Sequence, residues 1–479
     1  MTRYVFLFAL VALIGMKSKA QTKTSESEQE FRPQFHFSTP ENYVGNPAAV
    51  VYADSLYHLY YEYSPVGTTP VYLNMGHAVS KDLLHWSVFP LALNPDDDTR
   101  DLYRCSVRSG SALLDKANVL GKQKTDTLTQ VVFYTSYQCG IRMAYSTDGG
   151  KTWTKHETPL IPYVATEDAR DPKVFWYRPG NDFVMLIARK QVGLGEGISF
   201  YTSKDLVNWE YQTHVEGPVG RPDFAELPVD GDYKNTRWVL TDSIGNYVIG
   251  NFDGKRFGAE TDLLKGNYGF CMGASSWKVG EGESRRVLQI GLLGGNELTG
   301  APFAGQISFP AELTIRKLPE GLRLTKTPAR EIAAIEDKPW LIENKNILPG
   351  LDKNPIKRLK GDRYRIRGTF QLKTVNSFGF VLRCNKGDDG TEVRYDATRN
   401  QLSCLGKAAP LMPEDGKIKL DILVDRSSVE IYANDGKVVL SGQITPEENA
   451  LDYILYNTGG ELYIEKLEVN ELKSVYTSK

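Results

Sequence analysis

A short unit recurs along this chain, and it restricts the fold to one assembled from repeated β-sheets. Ser80-Lys81-Asp82-Leu83-Leu84-His85-Trp86, Ser146-Thr147-Asp148-Gly149-Gly150-Lys151-Thr152-Trp153 and Ser203-Lys204-Asp205-Leu206-Val207-Asn208-Trp209 share it, and Phe252-Asp253-Gly254-Lys255-Arg256-Phe257 is a weaker echo. In each, an Asp or Asp-Gly turn reverses the chain and an aromatic opens the next strand. Trp86, Trp153, Trp209 and Phe257 are 67, 56 and 48 residues apart, room for a four-stranded sheet with its loops. Apolar strand patterns lie between them, at 131–135 and 183–188 for example. Repeats of this length in an all-β chain predict a propeller. Unrelated hairpins with common turn chemistry would not give three such close matches.

Near residue 330 the unit stops. Short alternating strands at 368–372, 378–382 and 419–425 then read as a β-sandwich. At the other end, Arg3, an apolar run over 4–16 and the small residues Ser18 and Ala20 have the make-up of a secretory signal peptide. The run is shorter than the ~20 residues of a membrane span. The expected organisation is a signal peptide over 1–20, a polar segment over 21–34 that is unstructured at least to Glu30, a propeller over 35–330, a linker over 331–350 and a sandwich over 351–475. Export to the periplasm or the extracellular space follows, with no integral membrane segment after signal removal.

With 57 basic and 59 acidic residues, the charge balance argues against a nucleic-acid partner. The 26 tyrosines suit pleated, half-buried surfaces, and flat rings also suit sugar faces. Cys105, Cys139, Cys271, Cys384 and Cys404 are too few and too irregular for a disulfide framework, and they lack metal-site spacing. Most are expected to be buried thiols; Cys384 and Cys404 lie in one domain and could pair, since export permits it, and the sequence leaves that open.

Several motifs together resemble glycoside hydrolase family 32, the invertases, levanases and inulinases. Asn42-Tyr43-Val44-Gly45-Asn46-Pro47 is similar to the family's N-W-M-N-D-P, Tyr60-Tyr61-Glu62-Tyr63-Ser64-Pro65 to F-Y-Q-Y-N-P, Ser109-Gly110-Ser111 to S-G-S, and Arg170-Asp171-Pro172 to R-D-P. Ala301–Leu313 resembles the stretch that closes the propeller, and Leu423–Tyr432 a sandwich signature. The resemblance runs from about residue 31 to 475 and implies a five-bladed propeller followed by a sandwich. It also implies action on fructosyl linkages of sucrose or fructans such as levan and inulin, with a fructose-containing oligo- or polysaccharide as partner. Phe224-Ala225-Glu226-Leu227-Pro228 resembles the W-E-C-P motif, which makes Glu226 the expected acid/base. Arg170 and Asp171 are expected to hold fructose hydroxyls and stabilise the transition state. Asn46 to Asp171 spans 125 residues and Asp171 to Glu226 spans 55, about two repeats and one, so separate blades bring them to one funnel.

The departures from the family cluster on the first blade. Asn46 stands where the resemblance places the nucleophilic aspartate, and an amide is a poor nucleophile toward an anomeric carbon. Glu62 stands at a glutamine position, Tyr43 at a tryptophan, and Arg108, beside Ser109, at a phenylalanine that lines the sugar pocket. Two readings stay open. Either the carboxylate has moved from position 46 to Glu62, with Arg108 adapting specificity, or hydrolysis has been lost and the funnel binds fructans without cleaving them. A structural Glu62–Arg108 salt bridge is the bland alternative to both. No cofactor or metal is expected, because carboxylates carry this chemistry and the six His and five Cys form no ligand-spaced cluster.

Overall fold

The structure is a computed structural model that describes residues 29–96, 103–217, 220–280, 285–295, 298, 300–350, 354–385, 389–447 and 449–476. The expected signal peptide lies outside them. The chain is all-β: a five-bladed propeller followed by a sandwich. The inner strands of the five blades are Asn42–Ala53, Val107–Leu114, Arg170–Tyr177, Asp223–Val229 and Cys271–Val279. Each leads an antiparallel sheet of decreasing burial toward the outside. The short Phe303–Ala304 strand runs parallel to Asn42 and Tyr43 and closes the ring. Among the described residues no helix is long and apolar enough to cross a membrane.

The recurrent turn has a local cause. Asp82 Oδ1 accepts hydrogen bonds from the backbone N–H of Leu84 (3.0 Å) and His85 (2.8 Å). Asp148 does the same for Lys151 and Thr152, and Asp205 for Val207 and Asn208. The following indole then donates back across the turn: Trp86 to the Leu83 carbonyl at 3.1 Å, Trp153 to Gly150 at 3.2 Å and Trp209 to Leu206 at 3.0 Å. One side chain thus satisfies two otherwise unpaired donors, and the tryptophan fixes the angle at which the outer strand departs.

Four of the five inner strands are irregular at the same end. Their pairing slips between Val44 and Pro47, between Arg108 and Gly110, between Arg170 and Lys173, and between Met272 and Ser275. A bulge bends a strand and re-aims the side chain at the slip. Asn46, Ser109, Asp171 and Gly273 occupy these slips, so the bulges define one mouth of the central channel.

The sandwich packs a six-stranded sheet on a five-stranded one, around a core that includes Phe370, Phe378, Phe380, Ile418 and Ile422. Two expectations are corrected here. Trp340–Ile347, within the expected linker, is a strand paired with Leu462–Glu471 and belongs to the six-stranded sheet. Within the expected polar segment, Arg32 is fully buried, lies 3.7 Å over the Phe303 ring and donates to Ser38 Oγ at 2.9 Å. Its guanidinium makes a structural anchor of a stretch that composition alone marks as a tail.

The disulfide also departs from expectation. Cys105 and Cys139 are joined, whereas Cys384 is a buried thiol that donates to the Asp452 carbonyl (3.3 Å) and Cys404 is a buried thiol in a neighbouring part of the same sheet. The bond spans 34 residues and staples the start of the second blade's inner strand to the loop after its partner. Removing it with Cys105→Ser and Cys139→Ser is expected to lower the unfolding free energy by ~4 kcal/mol through loop-closure entropy. Urea unfolding of the two forms at one pH checks this.

Propeller and sandwich are joined by a buried ionic cluster. His36 Nδ1 lies 2.8 Å from Asp425 and its Nε2 2.8 Å from Glu430, while Asp425 also accepts from the Gln34 and Phe35 backbone. Burial opposes the charged imidazole, but the hydrogen bonds and charges of Asp425 and Glu430 outweigh it and raise the His36 pKa to about 9. The folded state therefore keeps this proton to a higher pH than the unfolded chain. Its contribution, about 3 kcal/mol, is fully present below about pH 6.5 and is lost as pH rises through 9. Denaturation midpoints from pH 6 to 10 are expected to fall across that window in the parent and to stay flat in His36→Gln.

Candidate active site

The bulged mouth gathers residues from all five blades. The Asn46 side-chain amide donates to Glu62 Oε2 at 3.0 Å, and its backbone N–H lies 3.3 Å from the same oxygen. Glu62 Oε1 accepts from the Ser109 N–H at 2.8 Å. The Ser109 hydroxyl donates to Asp171 Oδ1, and the Asp171 N–H donates to Thr135 Oγ1 at 2.7 Å. One serine therefore spans two carboxylates. Asp171 itself has φ of 59°, in the left-handed region, a conformation that surrounding contacts must hold.

Position 46 needs the glycine across from it. An added Cβ at Gly273, where φ is 58°, would lie 2.1 Å from Asn46 Oδ1. The amide oxygen is packed on Gly273 and the amide nitrogen is turned to Glu62, whose acceptor oxygen sets the orientation of Asn46. The exchange of acid and amide between positions 46 and 62 is a direct contact in space.

Arg221 is the residue that sequence reasoning missed. It is buried at 6% exposure, and its Nη2 donates to the carbonyls of Pro47 and Ala48. Its Nη1 lies within 3.3 Å of the space beside Gly273 and has no hydrogen-bond partner among the described residues. Burial lowers its pKa, and the charges of Asp171, Glu62 and Asp223 oppose that shift. Burial raises the Asp171 pKa, and Glu62 adds to the rise; Arg221, the Ser109 hydrogen bond and Arg170 work against it.

The other expected residues divide. Arg170 is at the rim, bonded to Asp168 and 3.7 Å from Asp171 Oδ2. Arg108 lies 5.2 Å over the Tyr137 ring, and Glu62 is held by Asn46 and Ser109 in place of the salt bridge considered for the pair. Tyr43 is close enough to Glu62 and Arg108 to feel both; burial first, then Glu62, pushes its phenol up to about 12. Glu226 is not brought to this mouth. Its carboxylate accepts from Thr236 Oγ1 at 3.0 Å and lies 3.4 Å from Lys278 Nζ. Asp223, three residues earlier, pairs with Lys173 at 2.7 Å, already one layer below Asp171. Glu226 is ~10 Å further down the strand and on the opposite pleat face.

The geometry also offers a second register for the fourth-blade motif. Pro222 precedes Pro228 by six residues, so the same W-E-C-P likeness can be laid on Val219-Gly220-Arg221-Pro222. That register puts Arg221 at the mouth and Gly220 at the glutamate position.

The sequence profile of the glycosyl hydrolases family 32 N-terminal domain matches residues 36–328, and that of the family's C-terminal domain matches residues 336–471. A propeller and sandwich with this match define a glycosidase, a hydrolase of O-glycosyl bonds. The chain belongs to glycosyl hydrolase family 32. A levanase from Bacillus subtilis (strain 168) is 34% identical over 98% of this chain and 75% of its own length. The extracellular exo-inulinase inuE of Aspergillus ficuum is 26% identical over 94% of this chain and 96% of its own. In fold, the crystal structure of exo-inulinase from Aspergillus awamori superposes with a TM-score of 0.81 at 23% identity, covering 94% of this chain and 99% of that one.

Proposed function

We propose that this protein is exported and hydrolyses fructosyl linkages of a fructose-containing oligo- or polysaccharide, with Glu62 and Asp171 as its working carboxylates. The observation that carries this is the single residue, Ser109, that binds both. Position 46 is an amide and forms no glycosyl ester, and both Glu62 oxygens are held by protein N–H groups, which disfavours direct attack by Glu62; a water is then the nucleophile, with Glu62 taking its proton. Asp171, its pKa raised by burial, supplies the proton to the departing oxygen. Arg170 and Arg221 hold hydroxyls and balance the two carboxylates. Direct attack by water inverts the anomeric centre, a changed mechanism for this site. The relatives named levanase and exo-inulinase support the substrate class, and the extracellular inulinase and the Cys105–Cys139 disulfide support export to an oxidising compartment.

A second reading has its own observation. Both Glu62 oxygens already accept protein hydrogen bonds, and among the described residues no carboxylate of the fourth blade reaches the mouth. On that reading the mouth binds fructans and cleaves none. Assays of the parent and Glu62→Gln on sucrose, inulin and levan, with product anomers followed by NMR, separate the two. Cleavage by the parent with a loss of at least 100-fold in Glu62→Gln supports hydrolysis. Equal cleavage by both sinks the assignment of Glu62. Calorimetric binding with no product from the parent selects the binding protein.

A further inference from the structure

Below the mouth the channel opens into a second chamber of about 760 Å³, to which Asn46, Glu62 and Asp171 contribute nothing. Lys173, which lines it, pairs with the buried Asp223 at 2.7 Å and also donates to the Ser276 carbonyl at 2.8 Å, while Gln289 donates to Asp223 at 2.9 Å. These charges are matched among themselves, so they separate the two ends of the channel and ask for no ligand.

The walls of the chamber are apolar and aromatic, with Phe175, Trp238 and Trp277 among them. The Trp277 indole N–H, in a residue only 8% exposed, has no hydrogen-bond partner among the described residues. At the rim stand Tyr52 and Trp176, exposed at 49% and 42%, large rings left uncovered where a folded chain ordinarily buries them. Glu226 and Lys278 supply the polar edge. One Glu226 oxygen accepts from Thr236 at 3.0 Å and the other only a long 3.4 Å contact from Lys278, and both Glu226 and Lys278 line the chamber. A concave site of this size, mostly apolar with a few polar groups on one edge, is the form of a small-molecule site.

We infer that this lower chamber is a second saccharide site, in which exposed rings stack on sugar faces and Glu226 and Lys278 bind hydroxyls. Rings give stacking area at little entropic cost, and a carboxylate beside an ammonium accepts from and donates to vicinal hydroxyls. The occupant is a fructo-oligosaccharide, and that identity rests on the substrate class proposed for the mouth. The position of Glu226 thereby has a use that a role in the upper cluster does not explain.

Calorimetry with nystose tests this on the full chain. The parent is expected to bind at two sites, and Asp171→Asn to keep the lower one. Tyr52→Ala with Trp176→Ala, both at the surface, is expected to weaken that remaining site by about tenfold or more. Glu226→Gln, which keeps shape and removes charge, is expected to weaken it similarly, with thermal melts checking that each variant is folded. Binding by Asp171→Asn that is unchanged in the rim and Glu226 variants overturns the lower site and leaves the mouth reading intact. Loss of all binding in Asp171→Asn has the same meaning. No binding by the parent overturns the lower site, while hydrolysis by the parent still decides the mouth.

Discussion

Exchanging both partners of the acid–amide pair, Asn46→Asp with Glu62→Gln, is expected to leave stability near that of the parent, while each single change lowers it. In Asn46→Asp a carboxylate replaces the amide nitrogen that now lies 3.0 Å from Glu62 Oε2. Two carboxylates at that distance cannot both ionise cheaply, and one is forced to keep a proton. The cost is about 2–4 kcal/mol at neutral pH and diminishes on acidification. In Glu62→Gln the new amide must face the Asn46 N–H groups and the Ser109 N–H with only one acceptor, so a donor is opposed to a donor at a cost of about 1–3 kcal/mol. A flip of the Asn46 amide relieves only the side-chain contact, because the Asn46 backbone N–H still faces the same atom of residue 62. The double variant restores one acid and one amide in contact. A double-mutant cycle by urea unfolding should therefore give a favourable coupling of about 2 kcal/mol or more. Additive losses would mean that the two positions do not act as a pair.

That pair was readable before any coordinates because each member departs from the family motif in the opposite sense. The register of the fourth blade was not readable. Two prolines six residues apart fit the same short likeness, and a shift of six keeps the side-chain alternation of a strand, so periodicity cannot choose between them. Only the layer of Lys173 and Asp223 shows that Glu226 is too far down. Arg221 sits in Gly-Arg-Pro with no charge pattern around it; its sole sequence signal was the earlier proline. The repeated turn was legible because its cause is local, an Asp bonded to N–H groups two to four residues on. The His36 cluster was not, because its partners are 389 and 394 residues away. The same holds for Arg32, whose burial depends on a ring at position 303.

The register has a further consequence for restoring a conventional site. Gly220 has φ of 80°, and an added Cβ would lie 2.6 Å from Ser243 Oγ. A Gly220→Glu change thus adds backbone strain and a clash before it adds an acid. With an amide at 46 and a glycine at 220, the charged groups gathered at the mouth are Glu62, Asp171 and Arg221.

Arg221→Met is expected to be the most damaging single change in the propeller. It keeps much of the side-chain volume and removes the guanidinium whose charge opposes those of Asp171 and Glu62 and whose N–H groups satisfy the Pro47 and Ala48 carbonyls. Removing one side of a buried charge cluster typically costs about 3–5 kcal/mol, because the remaining charges are left without compensation. The pH dependence identifies the cause. Arg221 is the largest influence holding the Asp171 pKa down against burial. Without it the Asp171 pKa rises further, so the folded variant binds its proton more readily than the unfolded chain does. Stability of the variant should then be recovered as pH falls through that raised pKa and lost as pH rises, relative to the parent. Urea unfolding of both proteins at pH 5 and pH 7.5 checks the sign. A deficit of equal size at both pH values would mean that Arg221 acts by packing alone. Arg221→Lys retains the charge but not the two-pronged fork, so it should recover the pH dependence of the parent while still weakening the hold on Pro47 and Ala48.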